Sequence, residues 1–338
     1  MRNISISQLS IGAMALLCGL GVGGGLLAEA QAQISCGQTL RPGGTYVLNK
    51  DLLLCSTNPA LTVNAASLDL QGHTVSCAST AGNGIVLKGQ GARIKNGTIT
   101  GCARGVLLSS KGKHVVQGMD VHDNASDGFR VSSVSNTLDN NTAHNNAGDG
   151  FHLTSDNNRL DNNSALWNSQ DGFDLDTGNG QNQLFGNVAS NNGTQGFDID
   201  TDYNRLSGNT ASWNFENGFY LLGNYNVLST NTTQDNTTQG IDVNADNNQL
   251  TSNMVSNNVQ DGIKLGSGAS GNLVKSNDVE NNGARGIIVR GGATKNSLDH
   301  NTALGNNVTY DLEDDNSRCD SNTWSSNTFG TASQPCIH

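Results

Sequence analysis

The chain has 338 residues, a formal net charge of −11, and 14% charged against 35% hydrophobic residues. That acidic balance, with no basic run and little interleaving of basic and aromatic residues, excludes a nucleic-acid partner. The wealth of Asn, Ser, Thr and Gly would suit a disordered chain, but a strict internal period argues against disorder.

Residues 1–32 open with the positive start Met1-Arg2-Asn3, continue as a small, apolar, glycine-interrupted run from Ile11 to Leu27, and end on Ala30-Gln31-Ala32. This order of segments predicts a cleaved signal peptide rather than a membrane anchor. Leu17 before Cys18 fits a lipoprotein signal poorly. The protein is expected to be exported to the periplasm or the extracellular space, with no membrane association after cleavage. Beyond residue 32 lie Cys36, Cys55, Cys77, Cys102, Cys319 and Cys336. An even number in an exported chain predicts disulfides. No Cys-x-x-Cys or Cys/His cluster supports a metal site instead. Six cysteines allow fifteen connectivities. Their clustering at the two ends favours the neighbour pairs Cys36–Cys55, Cys77–Cys102 and Cys319–Cys336.

Residues 33–80 are expected to form an amino-terminal cap, 82–317 the regular units, and 318–338 a carboxy-terminal cap, all within one domain. The repeat is clearest from Asp127-Gly-Phe-Arg-Val through Asp149-Gly-Phe-His-Leu, Asp171-Gly-Phe-Asp-Leu and Gln195-Gly-Phe-Asp-Ile to Asn217-Gly-Phe-Tyr-Leu. Its glycines fall at 84, 105, 128, 150, 172, 196, 218, 240, 262 and 286, a period of 21 to 24 residues and most often 22. Such a period marks a solenoid whose single turn cannot bury its apolar face alone. Within a unit, apolar residues alternate with period two, so three short strands follow one another with no helix-length stretch between them. Each strand can pair in parallel only with its equivalent one turn later. The preference for right-handed crossovers then predicts an all-β, right-handed parallel β-helix of about twelve turns, roughly 55 Å long at about 4.8 Å per turn. It is expected to be a monomer.

Asn141, Asn163, Asn187, Asn209, Asn231, Asn253, Asn277 and Asn301 share one place in successive units. A surface array of asparagines could bind sugars or ice. An Asn flanked by inward apolar residues must instead satisfy its amide internally, which predicts a stacked structural ladder.

In Gly-Phe-x-Leu-x the two x positions point outward and stack into columns. The first reads Arg130, His152, Asp174, Asp198, Tyr220, Asp242, Lys264, Ile288; the second reads Ser132, Thr154, Asp176, Asp200, Leu222, Asn244, Gly266, Arg290. Like charges opposite one another destabilise a sheet, so Asp174, Asp176, Asp198 and Asp200 call for a bound cation or raised pKa values. Calcium, with irregular all-oxygen coordination, suits them best. Three units carry two extra residues just after these columns, near 177–181, 266–271 and 291–295, where lengthened loops could wall a groove. Trp167 and Trp213 share a repeat position and either stack on sugar rings or pack against the coil.

Leu68-Asp-Leu-Gln-Gly-His73-Thr-Val, Asn96-Gly-Thr-Ile, the Asn/Asp-Gly-Phe turns and the ending Asn322-Thr-Trp, Asn327-Thr-Phe-Gly and Cys336-Ile resemble exported right-handed β-helix proteins with carbohydrate-binding and sugar-hydrolase type repeats. That group includes polysaccharide lyases, mannuronan epimerases and a periplasmic copper-accessory protein. The resemblance covers nearly the whole chain after residue 32 and implies the fold and a polysaccharide partner. Arg93-Ile-Lys95 is similar to a polygalacturonase motif but lacks its partner motifs. Copper would want Met, His or Cys along one face, and the four methionines are scattered.

The mixture of acids with His, Tyr and Lys favours a lyase or epimerase acting on a uronate polysaccharide. His152, Tyr220 or Lys264 would be the base, Asp198 and Asp242 are further catalytic candidates, and Arg130, Asp174, Trp167, Trp213 and Arg290 would bind substrate. A glycoside hydrolase would instead use an Asp pair, either Asp174 with Asp198 one turn apart or Asp198 with Asp242 two turns apart. A non-catalytic glycan-binding or adhesion protein is the third reading.

Overall fold

Outward and inward side chains alternate along short strands, and that alternation builds the whole molecule. The computed structural model describes residues 33–306 and 310–338, so the segment read as a signal peptide lies outside the described residues. Each turn contributes one short strand, most often of three residues as in Phe173–Leu175 with burial pattern buried, intermediate, buried, to a parallel 13-stranded sheet. The coil therefore has thirteen turns rather than twelve. The other two strands of each turn form a second continuous surface. Arg93–Thr100 and Val115–His122 cross it as unbroken eight-residue strands. From Thr137–Asp139 and Thr142–His144 onward, a corner splits the same stretch in two.

Inside the 13-stranded sheet, Phe129, Phe151, Phe173, Phe197 and Phe219 are fully buried. Their rings stack at 4.6 to 4.8 Å with planes 2° to 5° apart. This is the spacing of the strands themselves, so ring contact and strand pairing reinforce one another. The preceding glycine is required by crowding. A Cβ on Gly150 would lie 2.7 Å from both Ala165 Cβ and Gly172 O.

The asparagines are interior. Asn187 donates from its backbone N and from Nδ2 to Asn209 Oδ1 at 2.9 and 3.0 Å, and Nδ2 also reaches Leu160 O at 2.9 Å. Asn136 onward and Asn146 onward form two further columns of this kind. The left-handed conformation falls on the residue before the ladder Asn, as at Asn140, Asn162, Thr230 and His300, and that residue turns the chain at the corner. At the far end two of the columns stop on carboxylates, while the third runs through Asn301 and Asn327 to the main-chain oxygen of His338. Asn306 donates N and Nδ2 to Asp311 Oδ1 at 3.1 and 3.2 Å, and Asn322 Nδ2 donates to Asp314 Oδ2 at 3.3 Å. Disulfides Cys36–Cys55 and Cys77–Cys102 close one end and Cys319–Cys336 the other. Three such bonds fit folding in an oxidising compartment.

Candidate functional site

Strand register brings the first outward column together on the 13-stranded sheet. Arg130 pairs with His152, His152 with Asp174, Asp174 with Asp198, and Asp198 with Tyr220. A cleft of about 500 Å³ opens beside it, lined by Asp127, Arg130, Asp149, His152, Asp171 and Asp174, among others.

The acids just before Gly-Phe are the residues that sequence reasoning missed. Asp149 Oδ1 accepts from Asp171 N at 2.9 Å, while Asp171 Oδ1 accepts from Thr194 Oγ1 and Gln195 N at 2.5 and 2.7 Å. Later turns make the same backbone contact with an amide, as when Asn217 Oδ1 accepts from Gln239 N at 3.2 Å. One oxygen thus performs a scaffold task that Asn can also perform, and a carboxylate adds a second, charged oxygen facing the cleft. The available signal was Asp rather than Asn or Gln before Gly-Phe at 127, 149 and 171.

His152 sits at the centre of this group. Its Nδ1 lies 2.6 Å from Arg130 Nη1 and 3.1 Å from Asp149 Oδ2; its Nε2 lies 3.3 Å from Asp174 Oδ2 and 3.4 Å from Asp176 Oδ2. Nδ1 cannot both accept from Arg130 and donate to Asp149. Burial works against a charge on the ring, but the hydrogen bond to Asp149 and the charge of Asp174 outweigh that and the nearby Arg130, raising its pKa. The raised pKa favours the protonated ring, donating to carboxylates on both sides, whereas the 2.6 Å contact with Arg130 is a hydrogen bond of the neutral ring, so protonation moves Arg130 away from Nδ1.

The acids are pushed the other way. Burial, then the charges of Asp171, Asp200 and Asp174, lift Asp198 to about 8. Its Oδ1 is shielded from water without a hydrogen-bond partner. Burial likewise raises Asp174 to about 7, with His152 opposing and Asp149, Asp171 and Asp176 adding. Asp171 reaches about 6, chiefly through burial. Tyr220 is raised by burial and by Asp242 and Asp198.

The remaining expected site residues are more dispersed. Lys264 Nζ donates to the buried Asp242 Oδ2 at 3.0 Å, and Asn244 Nδ2 to its Oδ1 at 3.0 Å, so this pair is already satisfied. Arg290 pairs with Asp261 and Asp315, each at 3.5 Å, four turns beyond the turn of Asp198 and Asp200, and does not reach the cleft. Trp167 and Trp213 are 61% and 58% exposed, at corners with φ of 57° and 59°. Tyr203 and Tyr225, on the corner that follows the 13-stranded sheet, also have positive φ and stack at 5.0 Å. Bulky residues rarely occupy this conformation, and these rings add nothing to the core.

The expected calcium square does not converge. Among the described residues, the clusters on this face whose ligand atoms lie within 4.8 Å of one another are Asp149, Asp171 and Asp174, and Asp127, Asp149 and His152. Asp174, Asp176, Asp198 and Asp200 form no such cluster, and the point of convergence moves one column toward the Gly-Phe turn. Three carboxylates with oxygens still facing the cleft form a hard donor set that fits calcium.

Residues 83–227 match the family described as "Right handed beta helix region", and 182–333 match "Periplasmic copper-binding protein (NosD)". No curated protein matches by sequence. Among solved structures, the A-module of Azotobacter vinelandii mannuronan C-5 epimerase AlgE6 aligns at 16% identity and TM-score 0.62, covering 85% of this chain and 84% of that one. The AlgE4 A-module from the same organism aligns at 15% and 0.54, covering 85% and 86%. A double mutant of the periplasmic alginate epimerase AlgG aligns at 14% and 0.51, covering 87% and 80%. At these identities the likeness is one of fold. The repeat, the thirteen parallel turns and the match over residues 83–227 together show a β-solenoid fold similar to that of the right-handed β-helix family.

Proposed function

We propose that the protein is an exported enzyme acting on an acidic polysaccharide, a lyase or C5-epimerase of uronate residues, with its active face at Arg130, His152, Asp174, Asp198 and Tyr220. The observation that carries this reading is Arg130 and His152 standing in one outward column with Asp174 and Asp198, carboxyls whose pKa values lie near neutrality, beside the cleft. Removing the C5 proton of a uronate needs its carboxylate neutralised and a base of suitable strength close by. Arg130 and protonated His152 form the neutralising pair. Asp198, with a pKa of about 8, is a far stronger base than an ordinary carboxylate and takes the proton. Tyr220, on the next turn, donates a proton: to the departing O4 in a lyase, or to the other face of C5 in an epimerase. His152 thus changes role, from the base expected from sequence to a carboxylate binder. A hard dication held by Asp149, Asp171 and Asp174 would supply a Lewis-acid contact for the same uronate carboxylate. The exposed Trp167, Trp213, Tyr203 and Tyr225 give ring faces for a glycan chain.

A second reading has support in the excess of acids lining the cleft. Asp174 and Asp198, one turn apart with raised pKa values, also suit the acid and nucleophile of a retaining glycoside hydrolase. The two are separated by incubating the protein with acidic and neutral polysaccharides, with and without calcium, and identifying products by mass spectrometry and NMR. Unsaturated ends indicate a lyase, solvent deuterium at C5 an epimerase, and new reducing ends without unsaturation a hydrolase. With a uronate polymer, Asp198→Asn is expected to lower the rate at least ~100-fold. Tyr220→Phe and His152→Ala should also lower it, and Lys264→Ala much less. The wild-type rate should rise as pH passes through about 8, where Asp198 ionises. Retention of polymer with no product at any pH would leave glycan binding as the function.

A further inference from the structure

A second convergence of side chains lies off the cleft, on the outer side of the continuous surface. Strand Val115–His122 carries Asp120 and His122, and it pairs with Thr142–His144 so that His122 is the register partner of His144. The two imidazoles stack with centroids 4.7 Å apart and planes 14° from parallel. His144 Nε2 lies 3.1 Å from Asp120 Oδ1. That oxygen is shielded from water yet accepts no hydrogen bond, so the contact is close but poorly directed. One ligand atom each from Asp120, His122 and His144 lies within 4.8 Å of the other two.

The surroundings prepare these atoms for coordination. His122 Nδ1 lies 2.7 Å from Asp123 Oδ2, with Thr100 Oγ1 at 3.4 Å. A carboxylate on Nδ1 keeps the proton there and leaves Nε2 with its lone pair, the usual outer arrangement of a metal-binding histidine. His144 Nδ1 accepts from Asn145 Nδ2 at 3.1 Å. Rotating that amide by half a turn presents its oxygen instead, which moves the ring proton to Nδ1 and frees Nε2. His122 and His144 are 23% and 28% exposed, so both rings have room to turn toward a common point.

An ordinary solvated face would not need this arrangement. At the same position in neighbouring turns stand Thr100, Leu166, Ser190 and Ser212, so the two histidines occur together at one place only along this stretch. Oxygen-only clusters suit calcium, whereas two imidazoles and one carboxylate suit the first-row transition dications.

We propose that Asp120, His122 and His144 form a binding site for a borderline transition-metal dication of the zinc or copper kind, with water completing its coordination. The site joins two adjacent turns and is independent of the reaction proposed for the cleft.

The test is titration of the untagged protein with Zn²⁺ by calorimetry, and with Cu²⁺ by electron paramagnetic resonance. One equivalent of metal should bind, and the copper spectrum should show coupling to two nitrogens. His122→Ala and His144→Ala should each weaken binding more than ~10-fold and leave one coupled nitrogen. Asp123→Asn, which touches no metal, should weaken it ~10- to 100-fold while keeping both nitrogens. His152→Ala, in the cleft, should change nothing. Because the substituted side chains are on the outer face, circular dichroism should confirm that every variant folds. Equal affinity in wild type, His122→Ala and His144→Ala would overturn the proposal. So would loss of binding in His152→Ala alone, or no saturable binding of either metal.

Discussion

The two sides of the strand Phe173–Leu175 respond differently to the same stacking. On the inner side, Phe173 and Leu175 meet copies of themselves or close equivalents, and repetition strengthens every contact. On the outer side, Asp174 meets Asp198, and repetition sets like charges one strand spacing apart. A solenoid therefore amplifies whatever is placed in a column: apolar rings and amides gain from it, and carboxylates are destabilised. Where acids persist in an outer column, something must relieve them, and here protons, His152 and Arg130 are at hand.

The sharpest way to break the comparison is to remove one inner ring. Phe173→Ala should destabilise the protein by about 3–5 kcal/mol, since it opens a cavity between two stacked rings. Chemical denaturation measures this, and an unchanged midpoint would mean that the stack is not the core. The ladder should respond less. Asn209→Ala leaves two donors of Asn187 without their acceptor and should cost about 1–3 kcal/mol. Asp139→Ala, on the outer side of a strand, should cost much less by the same measurement.

The outer column is tested by pH. Asp198 has a folded pKa of about 8, far above its unfolded value, so the folded state holds a proton that the unfolded chain releases. That contribution is complete below about pH 4 and is lost as pH rises through 8. The melting temperature should fall across this window, and Asp198→Asn should flatten the fall and melt higher than wild type at pH 8. The smallest effect expected is that of calcium. At neutral pH it should raise the melting temperature modestly, growing with its excess over Kd, and Asp171→Asn should abolish the response more fully than Asp51→Asn in the cap. Identical melting in calcium and in chelator would leave protons as the sole relief of the acidic column.

The fold was legible because its causes are local and repeated. Phe-x-Leu fixes which side chains face inward, Gly permits the close passage of the next turn, and the Asn columns announce their own period. The candidate site was legible only in part. The columns of Arg130, His152, Asp174 and Asp198 follow from counting, because register in a solenoid is arithmetic. Asp127, Asp149 and Asp171 did not stand out, because their position also serves the backbone and Asn or Gln fills it elsewhere. The corner rings Tyr203 and Tyr225 were hidden for another reason. No periodic apolar pattern marks a residue whose side chain the core never uses, and only the backbone angle reveals how unusual an aromatic is there. The grouping of Asp120, His122 and His144 needed two different strands to be seen at once.

The endings of the asparagine columns have a further consequence. Along each column the backbone N–H of one rung donates to the side chain one turn further on, so each column has a sense, like a one-way thread. In two of the three columns Asp311 and Asp314 accept the final side-chain donors and, as carboxylates, have none to hand on. Another copy arriving at that end would find two of the three polar threads closed, and the two aspartates therefore work against end-to-end polymerisation, the hazard of any structure built by repeating itself.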